Sequence, residues 1–352
     1  MAEKIPLVLN GGGVEQLQST DTFAVGASNI LINGGFDFFQ RQVPGTLTSR
    51  ADDTYGPDRW VVLTQTAAVQ VAQIGGTEAP CAGQLKQNQA SAQRMGLAQI
   101  VEYSNSMPMR GRNIIFQGKL NCSSEQAIRY AVVEWTDTAD TVTSDIVDDW
   151  TDTTYESGNF FIAGLNIVAV GSVTPAAVGY TTFSITGSVS AACNNLIVFI
   201  WTEGTAAQDV TLSVSSAGLY PGTILQSWNP RPIGLELFLC QRYYEKSYNV
   251  ATAPGTALGP GPSIRIIINA NTAYYGEKYY LVPKRVSTTP TIYSLYSGNS
   301  GVIAEYNPSV VWVADRDVIV SGPSQIGWGN LACAGLTANN TMRYHWACDA
   351  EL

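Results

Sequence analysis

Between residues 134 and 156 the chain carries eight carboxylates, Glu134, Asp137, Asp140, Asp145, Asp148, Asp149, Asp152 and Glu156, with no Lys or Arg among them. Two chemistries could use such a stretch. A calcium ion takes several oxygen ligands, and Asp145, Asp148, Asp149 and Asp152 are spaced closely enough to supply them from one loop. Paired carboxylates also serve glycoside hydrolysis as acid and base or nucleophile. The spacing lacks the glycine and terminal glutamate of an EF-hand loop, however. The favoured expectation is a solvated loop extended by its own repulsion, with no metal and no cofactor, and Ca2+ as the one ion to consider.

Other catalytic sets find little material. His345 is the only histidine, so any Ser-His-Asp or Cys-His arrangement must use it, and it sits beside Trp346 in a strand-like pattern. There is no Walker A motif, no GxGxxG after a strand and no HExxH. The six cysteines, Cys81, Cys122, Cys193, Cys240, Cys333 and Cys348, show no zinc spacing and read as buried free thiols. The expectation is a protein that is not an enzyme.

Aromatic residues are the better candidates for recognition. Sugar rings present apolar C–H faces that stack on Trp or Tyr, while Asn, Asp and Gln bond the hydroxyls. Trp135, Trp150, Trp201 and Trp228 fall at strand ends or in loops, and Tyr274, Tyr275, Tyr279, Tyr280, Tyr293, Tyr296 and Tyr306 crowd the C-terminal region. Of these, Trp135, Trp150, Trp201, Tyr275 and Tyr296 are the candidate glycan contacts. The competing reading places most such aromatics in a core or a subunit interface.

The elements that must position these residues are strands. In 352 residues, 45% are hydrophobic, 13% are charged and 33 are glycine, a composition that suits a turn-rich β protein. A net charge of −9 excludes a phosphate-backbone binder, so no nucleic-acid partner is expected. No run is apolar over the roughly 20 residues that span a bilayer, and no signal peptide is visible. Strand patterns fall at 60–63, 69–72, 113–120, 128–135, 166–170, 181–189, 196–202 and 210–214. Eight such runs between Gly, Ser, Asn and Thr turns predict an all-β jelly-roll sandwich over 28–232. Residues 233–248 predict one short connecting helix, with Leu235, Phe238 and Leu239 on an amphipathic face. A smaller C-terminal β domain is expected over 249–352, with the proline-rich 253–262 near its start and strands at 263–268, 279–282, 291–294, 310–313, 318–321 and 343–348. Residues 1–27 read as an extended arm, with a short edge strand near 5–10 and one helical turn near 14–18.

Several segments resemble a known family. Residues 33–42 read Asn-Gly-Gly-Phe-Asp-Phe-Phe-Gln-Arg-Gln and 55–60 read Tyr-Gly-Pro-Asp-Arg-Trp. They are similar to the "NGGFD-x-WQR" and "DRW" segments that open the carbohydrate-binding-like jelly-roll module of bacteriophage tail-fibre and appendage proteins, with Phe39 where that family has Trp. Residues 109–116 resemble its "LRG-x-x-x-x-F" segment. Leu239-Cys240-Gln241-Arg242-Tyr243-Tyr244-Glu245-Lys246 resembles its "ELALCQRYYEK" signature, and the closing Ala350-Glu351-Leu352 its "AEL" end.

The resemblance implies a virion structural protein assembled in the host bacterial cytoplasm, usually a homotrimer. Residues 1–27 would contact other virion proteins, and a bacterial surface glycan would be the target. A tail fibre is the leading expectation. A head fibre or capsid decoration protein is the alternative, and a polysaccharide-degrading tailspike is the reading from another class.

Overall fold

The computed structural model describes residues 7–10, 13–16, 28–176, 178–259, 264–267, 272–275 and 277–352. Two six-stranded antiparallel sheets carry the first part of the chain. One runs in the order Leu165–Val173, Ile128–Trp135, Asn195–Thr202, Met95–Ile100, Val61–Thr64, Thr54–Tyr55. The other runs Thr181–Ser188, Asn113–Cys122, Thr211–Pro221, Cys81–Lys86, Val69–Gly75, Thr48–Arg50. Leu31, Trp60, Leu97, Phe116, Val198 and Leu212 are among the side chains packed between them. The all-β jelly-roll sandwich is therefore what the alternating runs build.

Strand Asn195–Thr202 is buried at every position, which needs cover on both faces. Leu196, Val198 and Ile200 face the inter-sheet core. Ile197, Phe199 and Trp201 face outward, beneath Val142, Ile146, Trp150, Phe160 and Phe161. The acidic stretch is thus no free tether. Its apolar residues pin it over the outer face of the sheet, each burial contributing about 1.5–3 kcal/mol, while Asp137, Asp148, Asp149 and Glu156 stay exposed. Repulsion among its carboxylates is outweighed by that apolar anchoring.

The helix is shorter than expected and oriented differently. It covers Ile233–Gln241, and the chain then turns into strand Tyr244–Lys246, which pairs with Thr341–Asp349. Ladder pairing with the last strand overrides the helical pattern after Arg242. Leu235 and Phe238 are exposed, while Glu236, Cys240 and Gln241 are buried. Glu236 is drawn inward because its carboxylate accepts from the Asn33 amide and from Arg231.

Strands Tyr244–Lys246, Thr341–Asp349, Val302–Tyr306, Trp312–Ser324, Gly327–Ala334 and Thr272–Tyr275 form the main path of a C-terminal sheet, with Ile264–Ile267 and Thr291–Ser294 also on Thr341–Asp349. Its core gathers Ile292, Ile303, Trp328, Leu331, Met342, Tyr344 and Trp346. In the arm, Leu7–Asn10 and Gly13–Gln16 pair as antiparallel strands. The helical turn expected near 14–18 is therefore replaced by strand over 13–16, and the rest of the arm lies outside the described residues. Among the described residues, no helix is long and apolar enough to cross a membrane.

Candidate functional site

A groove of about 540 Å3 lies on the second sheet, within the usual size of a ligand cleft. Three strands far apart in sequence build its floor: Gln117, Gly118 and Lys119 from Asn113–Cys122, Thr182 from Thr181–Ser188, and Ser216 from Thr211–Pro221. The segment that leaves the last strand, with Leu225, Gln226, Ser227 and Trp228, forms one wall, and Glu78 lies on the rim.

That wall is fastened to the floor. The Gln117 side chain donates to the Gln226 carbonyl at 2.6 Å and accepts from the Gln226 amide at 2.8 Å. Trp228 lies against Gly35, where a Cβ would meet its ring carbon Cζ2 at 3.1 Å. Gly35 of the 33–42 segment therefore makes room for an indole far along the sequence. The Trp228 Nε1 donor is buried without a hydrogen-bond partner among the described residues, so what the half-buried indole offers a ligand is ring surface rather than a donor. Lys119 Nζ pairs with Glu78 at 3.1 Å and donates to the Thr182 hydroxyl at 2.7 Å. One cation and one anion leave the groove electrically balanced. An aromatic wall, two amides, hydroxyls and a balanced charge pair provide stacking and hydrogen bonding for a polar, uncharged ligand. Glu78 is the single carboxylate of the lining and is already paired, whereas glycoside hydrolysis needs two positioned carboxyl groups.

The residues expected to touch glycan are not brought together. Trp201 is fully buried, stacked on Phe199 at 4.6 Å and on Phe160 at 5.1 Å. Trp150 is buried edge-on to Phe160 and Phe199, 5.9 Å from each. Both are corrected to core, because the 136–164 segment closes over the sheet face that carries Trp201. Trp135 is half-buried, with its Nε1 donating to the Thr138 carbonyl at 2.9 Å, and it too packs with this cluster. The Tyr275 side chain lies outside the described residues. Tyr296 is exposed in the turn after strand Thr291–Ser294, stacked on Trp312.

The candidate calcium ligands are also separated. Asp149 accepts from the amide and hydroxyl of Thr151, both at 2.7 Å, and Asp152 accepts from the Thr154 amide at 2.6 Å. Those bonds from Thr151 hold the Asp149 carboxyl below its ordinary range, whereas burial and the neighbouring Asp52 raise that of Asp145. Asp149 and Asp152 thus each close their own turn, and no three His, Cys, Asp or Glu side chains form a metal-binding group among the described residues.

His345 is buried and structural. Its Nε2 donates to the Gly259 carbonyl at 3.1 Å, which leaves Nδ1 to accept from the Ser247 hydroxyl at 2.9 Å. Sequence reasoning passed over Gln117, Lys119, Gln226 and the wall role of Trp228. The one local signal was a tryptophan in a Gly- and Pro-bounded connector directly after a strand.

No protein-family model matches the chain, and no curated protein matches it. Solved structures similar to it include TmCBM61 in complex with β-1,4-galactotriose, at 11% identity and TM-score 0.33, over 56% of this chain and 100% of that one. The CBM22-1 xylan-binding domain of Paenibacillus barcinonensis Xyn10C is similar at 9% identity and TM-score 0.29, over 52% of this chain and 99% of that one. The enzymatically active domain of bacteriophage CBA120 tailspike protein 4 is similar at 8% identity and TM-score 0.32, over 55% of this chain and 21% of that one.

Proposed function

We propose that the protein is a non-enzymatic bacteriophage virion protein, a tail fibre or related appendage, that attaches to a bacterial surface glycan. The observation that carries the glycan part is the groove, which Trp228 lines together with Gln117, Lys119 and Thr182. Its charge balance and single paired carboxylate favour holding a neutral saccharide over cleaving it. The virion part is supported by the five segments that resemble phage appendage proteins. In the fold four of them, 33–42, 55–60, 239–246 and the closing 350–352, meet at the junction of the sandwich and the C-terminal sheet, while 109–116 packs in the sandwich core. There Gln40 donates to Asp58 at 2.6 Å, Arg41 pairs with Asp349 at 2.9 Å, and the Ala350 amide donates to the Tyr243 carbonyl at 2.7 Å. The resemblance is then one shared joint, and the binding surface is free to vary elsewhere.

A homotrimer is supported by the helix Ile233–Gln241, which leaves Ile233, Leu235 and Phe238 49–60% exposed, an apolar face suited to a neighbouring copy. Size-exclusion chromatography with light scattering tests it: a trimer is expected, and a stable monomer contradicts it. Gold-labelled antibody against the protein, applied to whole phage particles, tests the virion role. Label on the tail supports the leading reading, label on the head favours a head fibre, and unlabelled particles overturn both.

A further inference from the structure

Strand Trp312–Ser324 begins with a β-bulge. Glu305 pairs with Ala314 and the next residue, Tyr306, pairs with Trp312, so Val313 is the extra residue. In an unbroken strand Trp312 and Asp315, three apart, would point to opposite faces. The bulge puts them on one face, and the Trp312 Nε1 donates to the Asp315 carboxylate at 3.4 Å. Bulges that re-aim a side chain in this way are common beside functional sites.

The ring so turned lies parallel to Tyr296, with centroids 4.4 Å apart and planes 12° from each other. Asp315 fixes both partners, since it also accepts from the Ser294 hydroxyl at 2.6 Å and from Ser297. Ser294 and Ser297 bracket the turn that carries Tyr296. The two rings cover each other's inner faces and keep 42% and 37% exposure. Asp315 also lines a depression of about 440 Å3 with Asp317, Ile319, Ala332 and Ala334. Arg316, at the same place, is held by Glu305 at 2.7 Å, so among the described residues the charges of the depression left without an ion pair are acidic, Asp315 and Asp317.

We propose that the Tyr296–Trp312 pair and the adjoining depression form a second saccharide site, which takes a neutral pyranose. It rests on the glycan-binding reading of the molecule but not on the groove. The outer ring faces offer an apolar platform to sugar C–H groups, and Asp315 and Asp317 accept from sugar hydroxyls. The same carboxylates disfavour uronic or sialic acids.

The test is 19F NMR of the full chain labelled with 5-fluorotryptophan, which gives one signal for each of its 8 tryptophans. Trp312→Phe and Trp228→Phe assign the two relevant signals. Methyl β-D-galactopyranoside, methyl β-D-glucopyranoside and N-acetylglucosamine are the probes. A saturable shift of the Trp312 signal with at least one probe is expected. The shift should persist in Trp228→Phe, and Asp315→Asn should weaken it about tenfold. A Trp312 signal that no probe moves, while the Trp228 signal responds, overturns the second site and leaves the groove standing. If neither signal responds, both sites lose their support. If Trp312→Ala lowers the oligomer mass and the Trp312 signal ignores sugar, the patch is a contact between copies and the proposal falls.

Discussion

The guanidinium of Arg59 lies 3.6 Å from the centroid of the Tyr243 ring, inside the joint between the sandwich and the C-terminal sheet. The same guanidinium donates to the Ile100 carbonyl at 2.6 Å and pairs with Glu351. The Tyr243 hydroxyl, in turn, donates to Glu102 at 2.7 Å. Residues 59, 243 and 351, from three separate segments of the sequence, thus share one buried contact.

Breaking that contact should be costly. Glu351→Ala leaves the Arg59 charge buried and unpaired, and a destabilisation of about 3–5 kcal/mol is expected in urea unfolding. Replacing both partners, as Arg59→Met with Glu351→Leu, should cost clearly less. Equal losses for the single and double variants would contradict the buried-charge explanation.

Trp201 is expected to act in the core alone. Trp201→Ala should lower stability by about 3–5 kcal/mol through the cavity it leaves, and glycan affinity measured under native conditions should be unchanged. A selective loss of affinity without loss of stability would restore it as a contact residue.

Eight strands were legible in the sequence because Val, Ile, Phe and Thr alternate there. Strands Cys81–Lys86 and Met95–Ile100 were not, since Cys-Ala-Gly-Gln-Leu-Lys and Met-Gly-Leu-Ala-Gln-Ile carry few β-branched or aromatic residues. Their strand state comes from pairing with neighbours on both sides, which local propensity does not encode. The groove was hidden for a similar reason. Positions 117, 182, 216 and 226–228 become neighbours only through sheet order, and none of them forms a motif with the next. Trp201 misled because an outward-facing indole on a sandwich strand reads as surface until the 136–164 segment covers it.

His345 gives a pH signature that a single-histidine chain makes easy to read. Burial lowers its pKa below the ordinary 6.5, so as pH falls the unfolded chain takes up the proton first. The contribution to stability is therefore full above pH 6.5 and is lost as pH falls through the lower folded value. The imidazole C2–H resonance should titrate with a midpoint below 6.5, and the melting temperature should decline over the same window. A midpoint above 6.5 would contradict the buried neutral tautomer.

The thiols should be quiet in the native state. Burial pushes Cys193 up to about 12 and Cys333 and Cys348 up to about 11, and five of the six are buried, Cys81 alone being half-buried. With Ellman's reagent at pH 8, Cys81 should react first, and the remaining thiols should appear only on unfolding. Several fast thiols in the folded protein would show the packing around them to be looser than described.

Glycan attachment at the Trp228 groove is tested most directly by probing an array of bacterial surface polysaccharides with the wild-type protein and Trp228→Ala. Losing the burial of an indole face costs about 1.5–3 kcal/mol, roughly a tenfold to hundredfold loss of affinity. The expected result is wild-type binding to at least one neutral polysaccharide, weakened by that factor in a Trp228→Ala variant of unchanged fold. Equal binding by the two proteins, or no binding by the wild type to any polysaccharide, would contradict it.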